Sequence, residues 1–121
     1  MTHKDLNVWK DSIKLVVDLY RITRKFPKDE IFGITSQIKR ASISIPCNIS
    51  EGSGRDHSKE YVRFLGISRG SASELETLIQ ISYELEYLNE TEYCNFLERV
   101  TKIIVQLSRL MQSINNKSAK V

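Results

Sequence analysis

Apolar residues recur at alternating three- and four-residue steps in four separate stretches of the chain, the period of one face of an α-helix. In the first stretch Leu6, Trp9, Ile13, Val16/Val17 and Tyr20 form such a seam, with Lys10, Lys14, Asp18 and Arg21 on other faces. It predicts an amphipathic helix over about 5–25, closed by Phe26-Pro27, since the residue before a proline avoids the helical region. Lys28 to Gly33 leaves room for a short connecting turn. The second stretch, Ile34, Ile38, Ala41, Ile45, Asn48/Ile49 and Gly52, predicts a helix over 34–53. Gly52-Ser53-Gly54-Arg55-Asp56-His57 then reads as a tight helical hairpin, with Asp56 or Ser58 suited to start the next helix.

The third stretch reads Tyr61, Phe64, Ser68, Ser71, Leu75, Leu78, Ser82 and Leu85, a helix over 58–88. Its middle holds Gly66, Gly70, Ser71, Ala72 and Ser73, so a neighbouring backbone can come close, with Trp9 or an isoleucine as the expected bulky counterpart. Asn89-Glu90-Thr91-Glu92 has turn and cap chemistry, after which Tyr93, Phe96/Leu97, Val100, Ile103/Ile104, Leu107, Leu110/Met111 and Ile114 predict a helix over 91–115. The fold class is therefore all-α, an antiparallel up-down-up-down four-helix bundle occupying 1–116 as one domain, with 117–121 a disordered tail.

Within the second helix the period continues through Pro46, although a mid-helix proline costs about 3 kcal/mol and frees the carbonyl four residues back, that of Ser42. Arg40, Asn48 and Glu51 need polar partners if close packing buries them. Asn48 and Glu51 are neighbours on one face, whereas Arg40 lies about 16 Å along the helix from Glu51. The packing account has Asn48 satisfying backbone groups loosened near Pro46, and Glu51 pairing with a base on the opposing helix such as Arg63.

Composition refines this picture. The chain has 121 residues, enough for one core, and only two prolines and five glycines, which favours helices over a turn-rich β fold. Beyond the seams, Ile31, Phe32, Ile43, Leu65, Ile67, Ile79, Ile81 and Tyr83 form an apolar surplus that implies a second interface, hence a homo-oligomer. Met1 to Asp5 lacks an apolar signal core, and no apolar run approaches the roughly 20 residues of a membrane span, so a cytoplasmic location without membrane contact is expected. Cys47 and Cys94 share no metal-ligand spacing with each other or with a histidine and are expected to be reduced, buried thiols.

The net charge of +3 is too small to imply nucleic-acid binding by itself. Its distribution is more informative: the third helix carries Lys59, Arg63 and Arg69 in its first half and Glu74, Glu76, Glu84 and Glu86 after them. Antiparallel pairing of the second and third helices would bring Lys39 and Arg40 level with Arg69, and Arg55 close to Lys59 and Arg63. These two basic groups are the candidate contacts to an RNA or DNA backbone, and a symmetric ring would multiply them. Enzymatic chemistry finds no support. A di-iron bundle needs Glu-x-x-His pairs, which neither His3 nor His57 supplies, and Cys47 has no identifiable base beside it. No cofactor or metal is expected.

Several blocks occur in a distinctive order: Asp5-Leu6-Asn7-Val8-Trp9, Phe26-Pro27, Gln37 to Arg40, Ser44-Ile45-Pro46, Asn48-Ile49-Ser50-Glu51-Gly52, and Gly70-Ser71 followed by Glu74-Leu75. On these the chain, from about Asp5 to Leu110, resembles the small bacterial four-helix-bundle family whose first members are encoded in intervening sequences within large-subunit (23S) ribosomal RNA genes. The Ser-Ile-Pro-x-Asn-Ile-x-Glu-Gly block is the most specific part of the match. Lys39, Cys47 and Ser50 are mild departures from it. The resemblance implies an antiparallel bundle assembled as a ring, a homopentamer, with Pro46, Asn48, Glu51 and Gly52 as its structural signature. It implies no settled activity. A related bundle is the accessory variability protein of diversity-generating retroelements, which works with a reverse transcriptase and is similar to a nucleic-acid binder. Two functions are thus in view: an RNA-associated adaptor, or a protein-binding scaffold that recruits a partner enzyme.

Overall fold

The computed structural model describes residues 2–119, and in them four α-helices pack around one core: α1 (Asn7–Ile22), α2 (Ile34–Ser53), α3 (Ser58–Glu84) and α4 (Glu90–Ala119). Every adjacent pair is antiparallel, as the cross-helix contacts show. Lys39 meets Tyr20, Ser44 meets Ser71, Arg69 meets Ser108, and Asp18 meets Arg99. The helices therefore run up, down, up and down, with α2 against α3 the most extensive contact and α1 against α4 the least.

The predicted boundaries hold for α2 and shift elsewhere. The first helix is regular only over Asn7–Ile22, flanked by 3₁₀ turns at His3–Asp5 and Thr23–Lys25. Next, α3 stops at Glu84 instead of 88, because Glu86 takes φ 65° while the Tyr87 and Glu86 amides donate to the Ser82 and Tyr83 carbonyls. This is a Schellman cap built without glycine. The stretch assigned to a disordered tail is helical as far as Ala119, and the rest of that tail lies outside the described residues. The start of α4 has the predicted cap: Asn89 Oδ1 accepts from the Glu92 amide at 2.8 Å, and Glu92 Oε1 accepts from the Asn89 amide at 2.9 Å.

Burial confirms the predicted face of α2, where Ile38, Ala41, Ile45, Ile49 and Gly52 are buried, and that of α4, where Phe96, Val100, Ile103 and Leu107 are buried. On α1 the predicted seam meets the core only at its start, where Leu6 and Trp9 pack against it. The buried residues are Val8, Ser12, Leu15 and Leu19, while Ile13 and Val17 are 36% and 42% exposed. On α3 the core face is Leu65, Ser68, Ala72, Leu75, Ile79 and Ser82 with Leu78 at its edge, so Leu65 and Ile79 leave the predicted surplus and Leu85 leaves the core. Serines occupy the core without orphaned hydroxyls: Ser12 donates to the Trp9 carbonyl, Ser42 to Lys39, Ser82 to Leu78. Both cysteines are exposed, contrary to expectation, Cys47 because it lies on the outer face of α2 two residues past Ile45.

The chain ends of the bundle are tied by specific side chains. Phe26 packs on Tyr87 with ring centroids 5.2 Å apart, and the Tyr87 hydroxyl donates to Glu30 at 2.8 Å, joining the α1–α2 connection to the α3–α4 turn. That bond, with burial and the Glu30 and Asp29 charges, raises the Tyr87 pKa. At the same end Lys25 pairs with Glu92. Burial pushes the Glu92 carboxyl up, but the Lys25 hydrogen bond, the Asn89 amide and the Lys25 charge together hold it below the ordinary 4.5.

Gly52 sits where α2 and α3 come closest, a Cβ there lying 2.8 Å from Phe64 Cβ and 3.2 Å from the Tyr61 carbonyl oxygen. Gly52→Ala is expected to destabilise the fold by about 1–3 kcal/mol through overpacking, measured by urea unfolding. Asn89→Ala should cost about 1 kcal/mol. The Glu92 contribution, present in full above the unfolded carboxyl pKa, is lost as pH falls through its lowered folded value, so Glu92→Gln should flatten the acid limb of the stability profile.

Candidate functional site

The proline-centred segment is resolved by its neighbours on α3. Pro46 is buried, and the carbonyl just before it, that of Ile45, accepts from Ser68 Oγ at 2.7 Å in the core. Asn48 Nδ2 donates to the Ser44 carbonyl and to Ser44 Oγ, each at 2.9 Å, and Ser44 Oγ in turn shares a 2.8 Å bond with Ser71 Oγ. Asn48 therefore bonds the Ser44 turn beside Pro46 and not the Ser42 carbonyl that the proline frees. Of the small residues in the middle of α3, Ser71 faces Ser44 of α2 and Gly66 faces Met111 of α4, whose Cε lies 3.7 Å from a Cβ built there, while Gly70 and Ser73 are exposed.

Glu51 does not pair with Arg63. Its partner is Arg55, one turn on along the hairpin, while Arg63 pairs with Glu60 at 3.4 Å. Local i,i+3 and i,i+4 geometry reaches these partners without crossing between helices. The Arg55 and Arg63 guanidinium groups nonetheless converge, lying 4.9 and 4.7 Å from the centre of the Phe64 ring. Lys59 is exposed on the same first turns of α3. Glu51, Asp56 and Glu60 offset the charge of this group.

The other basic group does not assemble. Lys39 lies over the Tyr20 ring at 4.9 Å, on the α1 side of α2, and Arg69 donates to Ser108 Oγ at 3.2 Å, on the α4 side of α3. The register set by the Ser44–Ser71 and Ile45–Ser68 contacts brings Arg40 level with Glu74 and Glu76, and Arg69 level with Ile45. The register expected from the sequence was therefore about five residues off. Arg40 is exposed, and among the described residues no carboxylate lies within ion-pair distance of it.

Two features escaped the sequence reading. One is a line of ion pairs joining α1 to α4: Asp11 with Lys102 at 3.5 Å and Asp18 with Arg99 at 2.9 Å, extended by Gln106, which donates to Asp11 at 3.3 Å. The seven-residue spacing of Asp11 and Asp18 was its only signal. Beside it runs an open groove of about 450 Å³ lined by Asp18, Arg21, Ile22, Glu92, Phe96 and Arg99. The second is Phe32, 94% exposed beside Ile31 at 57%, in the connection ahead of α2. Among the described residues no group of three or more His, Cys, Asp or Glu could hold a metal ion, and no helix is long and apolar enough to cross a membrane.

Ser68→Ala is expected to lower stability by about 1–1.5 kcal/mol, because the Ile45 carbonyl loses a buried partner. Ser71→Ala should cost less than half as much, since Ser44 keeps Asn48. Parallel chemical denaturation of the two variants checks the ranking.

No curated protein matches the sequence. Among solved structures, a protein of unknown function from the S23 ribosomal protein family of Bacteroides thetaiotaomicron is similar, with a TM-score of 0.80 over 87% of this chain and 95% of that one. At 22% identity the likeness establishes the fold. The family model described as 23S rRNA-intervening sequence protein matches residues 4–109, nearly the whole bundle. This chain belongs to the 23S rRNA-intervening sequence protein family.

Proposed function

We propose that the protein is a cytoplasmic, non-enzymatic, self-associating helical bundle that serves as an RNA-associated adaptor. The observation that carries the RNA half of this reading is the pair of guanidinium groups gathered on Phe64 at the exposed α2–α3 hairpin, with Lys59 beside them. An arginine stacked on an aromatic face keeps its N–H donors free for phosphate oxygens. The carboxylates now facing Arg55 and Arg63 do so through exposed local pairs, which are worth little and exchange readily for a phosphate.

The charge at this hairpin sums to zero, so a single protomer gains few phosphate contacts. Repetition around an oligomer supplies the rest by raising the effective concentration of the second and later sites. Backbone contact of this kind positions RNA without reading its sequence. The family description names an intervening sequence of 23S rRNA, an association that favours RNA as the partner. A second reading is a scaffold that recruits a partner enzyme without touching RNA, favoured by Phe32, whose ring contributes nothing to this protomer's core.

Filter binding of structured ribosomal RNA across a salt series separates the two. The adaptor reading expects affinity that falls steeply with salt, and a triple reversal, Arg55→Glu, Lys59→Glu and Arg63→Glu, that weakens binding at least about tenfold. Reversal of Lys39, Arg40 and Arg69, which do not cluster, should weaken it less. Absence of binding at low salt, or indifference to the triple reversal, defeats the RNA reading and leaves the scaffold.

A further inference from the structure

Helix α4 changes character after its first turns. From Arg99 to Ala119 its charged residues are Arg99, Lys102, Arg109 and Lys117, and no acid occurs among them. These four do not scatter around the helix. With Gln106, Ser113 and Asn116 they recur at three- and four-residue steps, so they form one polar stripe about 27 Å long from Arg99 to Lys117. The stripe lies on the α1 side of the helix, since Arg99, Lys102 and Gln106 all reach α1 acids. The α3 side is a different face, marked by Ser108 and Met111.

The facing stripe of α1 is Asp11, Lys14, Asp18 and Arg21, again at three- and four-residue steps. Its acids are outnumbered. Asp18 pairs with Arg99 at 2.9 Å and with Arg21 at 3.7 Å. Asp11 pairs with Lys102 at 3.5 Å, and these two line a narrow cavity of about 140 Å³ together with Lys14, Arg99 and the buried Ile103. Further along, Arg109, Ser113, Asn116 and Lys117 border an open hollow of about 400 Å³. Arg109 and Lys117 are exposed, and among the described residues no carboxylate lies within ion-pair distance of either. Across the two stripes the bases exceed the acids by four, whereas the charges of the α2–α3 hairpin cancel.

Such a surface fits a polyanion, and two observations choose a nucleic-acid backbone over an acidic protein. The residues between the bases are amides and a hydroxyl, which donate to phosphate and sugar oxygens. No large apolar side chain lies on the stripe to anchor a protein partner. We propose that the α1–α4 groove is a second nucleic-acid surface, on which an RNA backbone runs along α4 with its phosphates at Lys117, at Arg109 and at the cavity of Lys14, Arg99 and Lys102. This rests on the RNA-associated reading above and carries the contact beyond the hairpin. The two surfaces meet at one end of the bundle. Gly66 faces Met111 and Arg69 faces Ser108, a register that brings Lys117 level with Glu60, at the height of Lys59 and Arg63. Asp11 and Asp18 are then internal competitors, which hold Lys102 and Arg99 through partly exposed pairs until phosphate replaces them.

Filter binding of structured ribosomal RNA across a salt series tests the assignment. Arg109→Gln with Lys117→Gln removes two phosphate contacts and breaks no ion pair. It should make the slope of log affinity against log salt shallower by about 1.5 and weaken binding at low salt at least about fivefold. Asp11→Asn with Asp18→Asn should do the opposite, tightening binding at least about threefold as the freed Lys102 and Arg99 take up phosphates. A merely structural role for these acids lowers stability without that gain. Circular dichroism checks that both variants keep their helices; should the aspartate pair fail to fold, the Arg109 and Lys117 pair decides alone. An unchanged slope in the first variant, or no gain in a folded second one, overturns the α4 surface. So does displacement of the RNA by poly-glutamate at equal charge, which assigns the groove to an acidic protein. RNA that binds the wild type and is lost on reversal at the hairpin, yet ignores the α4 changes, defeats this inference alone. RNA that fails to bind the wild type at low salt defeats the RNA-associated reading itself.

Discussion

The close approach of α2 to α3 is the constraint on which the rest of the bundle depends. A proline in the middle of a buried helix removes one backbone donor, here the one that would meet the Ser42 carbonyl, and the carbonyls nearer the proline, those of Ser44 and Ile45, take extra bonds from Asn48 and from Ser68 of the neighbouring helix. Ser68 reaches the Ile45 carbonyl, and Asn48 reaches that of Ser44, only because the two backbones are near enough for serine hydroxyls to bridge them. Gly52 sets that distance at the hairpin end, where even a methyl group collides with Phe64. Within the signature, Gly52 permits the approach of the two helices, and Asn48 and Ser68 fasten the turn around Pro46. Glu51 belongs to it only loosely, since its charge is met by Arg55 at the surface.

How much of this could be read in advance depended on how many stripes a helix carries. Helices α2 and α4 have one dominant apolar face each, and their buried residues fall where the period placed them. Helices α1 and α3 have two. Periodicity reports that a stripe exists without saying which one meets the chain's own core, and on α1 Ile13 and Val17 continue an outer stripe while Ser12 disguises the inner one. The same ambiguity on α3 hid Leu65 and Ile79 behind a face of serines. The end of α3 was misjudged for a different reason. A left-handed cap normally announces itself with glycine, and here Glu86 accepts the strain.

The charged residues were less legible than the fold, because partner choice follows from distances of a few ångströms that only the register supplies. Arg40 and Arg69 share a sign and adjacent helices, yet the register that joins Ser44 to Ser71 separates them by about five residues, roughly 8 Å along the axis. Phe64 shows the reverse case. Its spacing predicts a core position, yet it is half-buried and collects two guanidinium groups, one from the hairpin turn and one from α3 itself. A candidate binding surface in a helical bundle is therefore a property of register more than of residue content.

The weakest side of the protomer bears on why it would assemble. The α1–α4 contact is the thinnest in the bundle and is bridged by ion pairs that are partly exposed to water, where such pairs contribute little. Helix α1 is consequently held mainly by Val8, Leu15 and Leu19, with Leu6, Trp9 and Ile22 packed against the same core, while Ile13 and Val17 are left facing outward. Any partner that covered Ile13 and Val17 would bury surface that this chain leaves wet, and so would stabilise α1 on its own bundle.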